Sequence, residues 1–197
     1  MSDAPVAPRI HTLCAVDIET LGTEVYSPII QIGAAFAVWD ADKEMVISSP
    51  LLPNMYWQFD SGTSGPLKAH EEMFKAVGIS GDTLNFHFGQ TTYRKFPESE
   101  AIVYASGQHL LAALDKRMRD SDAYIMAQNN EFDLAMLKLN SGIAFYDFRK
   151  TLDIRTFQCL GLLPKKLSAK THNALEDAIA ELEEVVGLLK SGKITLC

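Results

Sequence analysis

The chain has 197 residues, 47% hydrophobic and 22% charged, so it is long enough to bury a sizeable core within one compact domain. A net charge of −7 argues against tight duplex binding through counterion release, but not against a metal enzyme acting on a short single-stranded end. Three cysteines form no even framework and no CxxC pair, which favours a reducing compartment. The N-terminal residues lack a signal-peptide layout and the longest apolar run, 29–39, is too short to span a bilayer, so we expect a cytoplasmic protein with no membrane partner.

Three strands open the predicted fold as an antiparallel meander. Their apolar and β-branched runs cover 13–19, 28–39 and 44–52. Residues 53–97 are irregular and rich in Gly and aromatic residues, with short helices expected near 66–78 and 82–95. This segment is either a mobile cover near the site or an insert with its own small core.

Helices and strands alternate in the rest of the chain. The expected order is a helix that starts at 97–100 and ends near Arg119, a strand over 123–127, a helix over 130–140, a strand or turn at 152–154, a short helix to 160 and a last helix over 173–190. Strands followed by alternating helices and strands predict one α/β domain over 1–197, with a mixed central sheet in a layered fold.

Two carboxylates end the first predicted strand. Asp17 and Glu19 point to the same side of that strand, because successive side chains alternate between its faces. Two like charges at the end of an apolar strand repel each other and are costly to desolvate, and a bound Mg²⁺ or Mn²⁺ removes both problems. The alternative is an ordinary strand end with solvated acids.

A third acid, Asp133, lies in the first turn of the helix predicted over 130–140. It shares a stripe with the apolar Met136 and Leu137, so we expect it to face the sheet, where an acid needs a partner. An acid in a first turn is also a common cap or dipole partner, and that alternative stays open.

The last predicted helix adds a histidine and a fourth acid. His172 precedes the helix and Asp177 lies beside its apolar stripe, whereas Glu176 suits a capping box with Asn173. A lone histidine at a helix start is usually a surface residue. Four inward acids and one histidine nevertheless suit two-metal phosphoryl transfer, in which the histidine takes a proton from the attacking water.

The ordered set of motifs covers 13–180. It comprises Asp17-Ile18-Glu19-Thr20 with Gly22, then Asn129 with Phe132-Asp133, then His172 with Asp177. This set resembles the DEDDh 3′→5′ exonucleases, which have an RNase H-like fold and include proofreading subunits, oligoribonuclease and RNase T. Segments 17–33, 153–156 and 172–177 look narrowly like the phage DexA and mycobacterial RNase AS branch. That branch commonly carries a tryptophan pair where this chain has Phe86 and His87.

The resemblance implies an RNase H-like three-layer fold and a set of site residues. It makes Asp17, Glu19, Asp133 and Asp177 ligands of two divalent cations, Mg²⁺ or Mn²⁺, and His172 the general base. Thr20, Leu21 and Gly22 would line the terminal nucleotide, and Asn129 would touch the substrate. Arg155, with Arg149 as a further candidate, would contact phosphate, unless they form structural ion pairs with Asp153 or Asp147. Lys165, Lys166 and Lys170 would steer the strand, unless they are only a solvated loop.

The implied activity is the release of nucleoside 5′-monophosphates from the 3′ end of single-stranded nucleic acid, with RNA favoured over DNA. Homodimers occur among the relatives, so a homodimer is included among the expectations. Alternatives are the same chemistry on DNA, very short oligonucleotides or a dinucleotide-like small molecule, or a catalytically silent module that binds RNA or a protein. The silent module predicts a missing carboxylate, and all four are present. A GxxxxGK[ST] or GxGxxG motif is absent from the sequence, which argues against a P-loop or Rossmann nucleotide binder.

Overall fold

A computed structural model describes residues 8–22, 27–47, 52–59, 100–141, 147–164 and 172–196. The helices expected near 66–78 and 82–95 lie outside these residues, together with Phe86, His87 and the three lysines Lys165, Lys166 and Lys170. None of the helices in the described ranges is both long and apolar enough to cross a membrane.

The described residues form strands and helices in alternation. The strands are β1 (Ile10–Thr20), β2 (Ile29–Asp40), β3 (Met45–Ile47), β4 (Asn54–Gln58), β5 (Ala101–Val103), β6 (Tyr124–Ala127) and β7 (Thr151–Asp153). The helices are α1 (Gly107–Ser121), α2 (Asp133–Ser141), α3 (Ile154–Cys159) and α4 (Ala174–Lys190), with a 3₁₀ turn at Phe148–Lys150.

One mixed sheet joins all seven of these strands, in the order β5-β4-β2-β1-β6-β7, with β3 also paired to β2. β2 runs antiparallel to β1, β3 and β4. The pairs β1/β6, β6/β7 and β4/β5 are parallel. The central mixed sheet confirms the predicted α/β fold class, because early antiparallel strands are followed by parallel strands reached through helices.

Each face of the sheet is covered by helices, which makes three layers. Cys14, Val16 and Ile18 of β1 belong to a buried cluster with apolar residues of α1 and α2. Leu13 and Ala15 belong to a second cluster with residues of α4. Because side chains alternate along a strand, the side chains of 17 and 19 continue the face that α4 covers.

The helix expected to start at 97–100 begins instead at Gly107, so that expectation is wrong. Ser106 caps it, with its Oγ accepting a hydrogen bond from the His109 N–H at 3.2 Å, and its first turn contains no acid. Residues 101–103 form β5, which pairs with β4, and Ile102 is 42% exposed there rather than packed under a helix. Ser106 caps the helix, and the β-branched residues Ile102 and Val103 pair with β4 instead of entering the helix. These interactions outweigh the preference of acids for a first helical turn.

Residues 54–58, expected to be irregular, form β4 in the central sheet. Their backbone pairs with residues 31–34 of β2, and Met55 and Tyr56 are fully buried. β4 forms because its backbone pairs with β2, and no local periodicity in the sequence predicts it. Within the expected strand 44–52, the described residues contain only the three-residue β3.

Two cysteines provide a test of the packing. Cys14 is fully buried in β1, and burial raises the pKa of its thiol, whereas Cys159 at the end of α3 is exposed. Because the thiolate is the reactive form, iodoacetamide at pH 8 is expected to alkylate Cys159 in the native protein and Cys14 only after unfolding in guanidinium. Peptide mass spectrometry measures both sites, and equal native labelling of the two thiols would contradict the burial of β1.

Candidate active site

Three carboxylates converge at the end of β1 and the start of α4. Ligand oxygens of Asp17, Glu19 and Asp177 lie within 4.8 Å of one another, and all three residues are buried. Asp17 and Glu19 share one face of β1, and α4 places Asp177 over that face. The structure thus brings together three of the four acids predicted from the sequence.

A glycine makes this approach of α4 to the sheet sterically possible. Gly33 of β2 lies directly opposite Asp17 in the antiparallel register. A Cβ at position 33 would come within 2.3 Å of the backbone C and O of Ala174 and the N of Leu175. Since no side chain fits in that space, the backbone at the start of α4 rests directly on the sheet beside the acids.

Side chains satisfy the backbone donors of the first turn of α4. The N–H groups of Leu175 and Glu176 donate to Oδ1 of Asn173 at 3.1 and 3.3 Å, which confirms Asn173 as the cap. The N–H of Ala174 donates to Oε1 of Gln31, which lies in β2, at 3.1 Å. These three donors are therefore already engaged, so this helix start is not an open anion site.

His172 lies at the edge of the acidic group. Its Nδ1 is 3.8 Å from Oε1 of Glu19, and its side chain is 38% exposed. Its backbone has a φ of 54°, a left-handed conformation that histidine adopts more readily than most residues. This conformation precedes the cap Asn173 and leaves the imidazole with one side towards solvent and the other towards Glu19.

Asp133 is buried as the first residue of α2, next to the carboxyl end of β6. Its Oδ2 accepts a hydrogen bond from the backbone N–H of Asn129 at 3.1 Å, and its own N–H donates to the Asn129 carbonyl at 2.9 Å. Its carboxylate is not among the three that lie within 4.8 Å of one another. Asp133 is thus buried, as its position on the apolar stripe predicted, and it also accepts a local backbone hydrogen bond, as the capping alternative predicted.

The donor set of the three converging acids fits a divalent cation. Oxygen ligands bind Mg²⁺ or Ca²⁺ at about 2.0–2.6 Å, so two ligands on opposite sides of one ion lie about 4–5 Å apart. The 4.8 Å limit within the group of Asp17, Glu19 and Asp177 matches that spacing. Carboxylate oxygens with no sulfur donor suit a hard divalent cation better than a soft metal.

The residues predicted to line a terminal nucleotide form a tight turn after β1. Thr20 Oγ1 donates to the Gly22 carbonyl at 2.6 Å, and the Leu21 N–H donates to the Pro28 carbonyl at 3.0 Å. A Cβ at Gly22 would lie 2.5 Å from Oγ of Ser27. Thr20 and Leu21 are buried, so this turn is rigidly held next to Glu19.

Arg149 and Arg155, the two arginines predicted to contact phosphate, are both exposed. Arg149 lies 3.5 Å from Asp147 and stacks on the Phe148 ring, which is the structural ion pair named as its alternative. The carboxylate of Asp153 accepts from the N–H groups of Thr156 and Asn130. Asp153 therefore caps α3 and ties it to the loop after β6, while the side chain of Arg155 is exposed.

Sequence reasoning missed the residues of β2 and β4 that support the site. Gln31 is fully buried, and Tyr56 donates its hydroxyl hydrogen to Oε1 of Gln58 at 2.6 Å. Burial raises the pKa of the Tyr56 hydroxyl, and the nearby charge of Glu19 raises it further. A glutamine and a glycine inside an otherwise apolar strand were the available signals, since glycine in a strand often marks close backbone approach.

No protein-family model matches the chain, and no curated protein sequence matches it significantly. Solved structures do match. A full-length 3′-exonuclease is 14% identical at a TM-score of 0.46, with 92% of this chain and 82% of that chain covered. Exonuclease I of E. coli in complex with a 5cy-dT13 oligonucleotide is 15% identical at a TM-score of 0.42, with 90% and 40% covered. Cell-death related nuclease 4 is 16% identical at a TM-score of 0.47, with 92% of this chain and 64% of that chain covered.

The chain thus spans 82% of the 3′-exonuclease but only 40% of exonuclease I. With TM-scores of 0.42–0.47 and identities of 14–16%, these three structures do not assign a role to any residue of this chain. The chemistry of the site rests on its own geometry and on the sequence motifs.

Glycine 33 provides a test of how the site is assembled. Gly33→Ala is expected to destabilise the fold by about 1–3 kcal/mol, because its methyl group overlaps rigid backbone of α4, and to weaken Mn²⁺ binding. Gly187→Ala is the matched control: its Cβ meets nothing within 4 Å on exposed α4 surface, so it should stabilise the helix by about 0.5–1 kcal/mol. Urea unfolding and calorimetric Mn²⁺ titration measure both effects; unchanged stability in Gly33→Ala would contradict the close approach.

Proposed function

We propose that this protein is a metal-dependent 3′→5′ exonuclease that hydrolyses phosphodiester bonds at the end of single-stranded nucleic acid. The observation that carries the proposal is the convergence of Asp17, Glu19 and Asp177, buried within 4.8 Å of one another. Buried like charges repel strongly unless a cation compensates them, so the group is organised for metal binding. The DEDDh motif order adds the direction of cleavage and the identity of the histidine.

The proposed metal ligands are the three converging acids and Asp133. Asp17, Glu19 and Asp177 would hold one divalent cation, Mg²⁺ or Mn²⁺, and Asp133 would contribute a ligand to a second. Bound cations of this kind stabilise the charge that develops on the attacking and leaving oxygens of a phosphodiester. Asp133 supplies its carboxylate from a helix start whose backbone fixes its position through Asn129.

His172 is proposed as the general base. It is positioned at the mouth of the acidic group by the left-handed backbone before α4, with Nδ1 3.8 Å from Glu19. An imidazole that is partly exposed can take a proton from the attacking water and release it to solvent.

The end of the substrate strand is proposed to lie along the turn that follows β1. Thr20, Leu21 and Gly22 follow Glu19 directly along the chain, and Asn129 lies in the loop before α2, where its N–H donates to Asp133. Arg155 is exposed near that loop, since its N–H donates to the carbonyl of Gln128 at 3.3 Å. It is therefore proposed as a phosphate contact upstream of the cleaved bond.

Three finer points belong to the same proposal. RNA is the favoured substrate, the products are nucleoside 5′-monophosphates, and the nearest branch is that of DexA and RNase AS. These rest on the sequence resemblance of 17–33, 153–156 and 172–177. A homodimer in the cytoplasm is the expected state, again from the resemblance and the composition.

The direct test uses 5′-labelled single-stranded RNA and DNA of one sequence, incubated with Mg²⁺, Mn²⁺ or EDTA and resolved on a denaturing gel. A ladder that shortens from the 3′ end and disappears with EDTA is expected, with RNA degraded faster. Asp177→Asn should lower the rate at least about a hundredfold, because it removes a ligand charge. Glu176→Gln, the same change one residue away and outside the acidic group, should leave it within about threefold.

Intact strands under every metal condition would contradict the proposal and favour a smaller substrate or the silent binding module. Wild-type turnover in Asp177→Asn would leave the exonuclease standing but overturn the metal assignment. Equal loss in Glu176→Gln and Asp177→Asn would point to damage at the helix start instead.

A second prediction separates the base from the ligands. His172→Ala is expected to lower kcat by roughly 10²–10⁴-fold, the usual contribution of a general base, while Mn²⁺ affinity changes less than about threefold. His109→Ala, on the exposed surface of α1, serves as the control and should change neither quantity. Single-turnover cleavage and calorimetry measure the two effects, and a large loss of Mn²⁺ affinity would make His172 a ligand.

A further inference from the structure

A buried glutamine lies beside the acidic group, in the next strand of the sheet. Gln31 of β2 is the cross-strand partner of Glu19, and Gln58 of β4 is in turn the partner of Gln31. Directly paired residues share a face, so the three side chains form one row across the sheet on the side that α4 covers. Gln31 has no exposed surface.

The neighbouring row has the same construction. Asp17 pairs with Gly33, and Gly33 pairs with Tyr56. The glycine in the middle leaves room for the backbone at Ala174, and a polar residue lies on each side of it. The start of α4 therefore rests on two polar rows of the sheet that each begin at a proposed metal ligand.

The Gln31 side chain connects these rows to the helix. Its Oε1 accepts the hydrogen bond from the Ala174 N–H at 3.1 Å, and its Nε2 lies 3.5 Å from Oε1 of Gln58. Tyr56 donates to the same Gln58 oxygen at 2.6 Å. One amide thus uses its oxygen for the helix and its nitrogen for the sheet, and it is itself held by the tyrosine–glutamine pair of β4.

The residue that Gln31 holds lies between two proposed functional side chains. Ala174 is two residues after His172 and three before Asp177, so a shift of its backbone moves both of them relative to Glu19 and Asp17. Of the backbone donors at 174, 175 and 176, that of Ala174 donates directly to a side chain of the sheet. The other two donate to the cap Asn173, whose side chain is in turn hydrogen-bonded to Tyr56 of β4. The hydrogen bond to Gln31 therefore ties this segment to the sheet.

An amide also suits the electrostatics of the position. A carboxylate at 31 would accept the same hydrogen bond but would place a further negative charge directly opposite Glu19. An apolar residue would leave the Ala174 donor buried without an acceptor, which costs more than the hydrogen bond contributes. Glutamine provides the acceptor without adding charge.

We infer that Gln31 is a positioning residue of the active site, which fixes the start of α4 so that His172 and Asp177 face the carboxylates of β1. The inference rests on the proposed function, since it concerns the geometry of the proposed metal and base residues. In this arrangement, Gln58 and Tyr56 hold the Gln31 amide in the orientation that presents its oxygen to the helix.

The test compares Gln31→Met, which keeps the volume but removes the acceptor, with Gln31→Glu, which keeps an acceptor. Gln158→Met, a buried glutamine of α3, is the control for the loss of an interior amide. Amide hydrogen exchange over 172–178, Mn²⁺ titration by calorimetry, thermal unfolding without metal, and kcat and KM on the labelled strand are measured for each variant.

In Gln31→Met, the exchange rate over 172–178 is expected to rise and Mn²⁺ affinity to fall, each roughly tenfold, with kcat reduced and KM nearly unchanged. Gln31→Glu should restore protection over 172–178, because the acceptor is present, while the charge that it adds opposite Glu19 will itself alter Mn²⁺ affinity. Hydrogen exchange is therefore the quantity that decides for this variant. Gln158→Met, which removes a buried amide in α3 rather than at the start of α4, should leave both the exchange over 172–178 and the Mn²⁺ affinity unchanged.

Wild-type exchange and Mn²⁺ affinity in Gln31→Met would overturn the inference and leave the exonuclease standing. Equal losses of protection over 172–178 in Gln31→Met and Gln31→Glu would overturn it as well, since the acceptor would not be the property that matters. A wild-type protein that binds Mn²⁺ but cleaves no strand would overturn the proposed function alone, and the exchange and titration data would still decide the role of Gln31.

Discussion

The direct contact between the start of α4 and the sheet at Gly33 is the constraint on which the candidate site depends. With backbone atoms of Ala174 and Leu175 only 2.3 Å from where a Cβ would stand, the helix is as close to β2 as a backbone can be. Only at this distance does an aspartate one turn into the helix reach two carboxylates on the neighbouring strand. A larger residue at 33 would force the start of α4 away from the sheet, which would weaken the packing and separate the acids.

That closeness creates a second requirement, because the polar groups of the helix start are buried with the acids. The chain meets it with two side chains, Asn173 from the helix itself and Gln31 from the sheet. The donors at 174–176 are consequently engaged inside the protein. Negative charge on a substrate is therefore better met by cations held between the acids than by the helix end, which agrees with the choice of a metal-dependent mechanism.

The comparison of the two helix starts shows why the sequence was a good guide in one place and a poor one in another. The start of α4 carries its own signals: an asparagine cap, acids in the first turn and a clean apolar stripe, and all of these act within one segment. The start of α1 was expected seven to ten residues too early, because acids at 98 and 100 are typical of a first helical turn. What overrode them was the pairing of 101–103 with β4, a contact that no local pattern contains.

The sequence by itself determined the α/β class and the alternation that puts the side chains of 17 and 19 on one face of β1. It also determined the cap at 173 and the buried orientation of the 133 side chain. Each of these follows from short-range periodicity or a local hydrogen bond. Only the tertiary structure decided that β4 belongs to the central sheet and that the acids of β1 meet 177 while 133 turns to its own loop backbone. Gln31 and Gly33 likewise acquire their significance only there. The sheet pairing of β4 and the approach of α4 depend on contacts between residues far apart in the chain, 27 positions for Gln31 with Gln58 and 143 for Gln31 with Ala174. Such long-range register is set by packing rather than by local pattern.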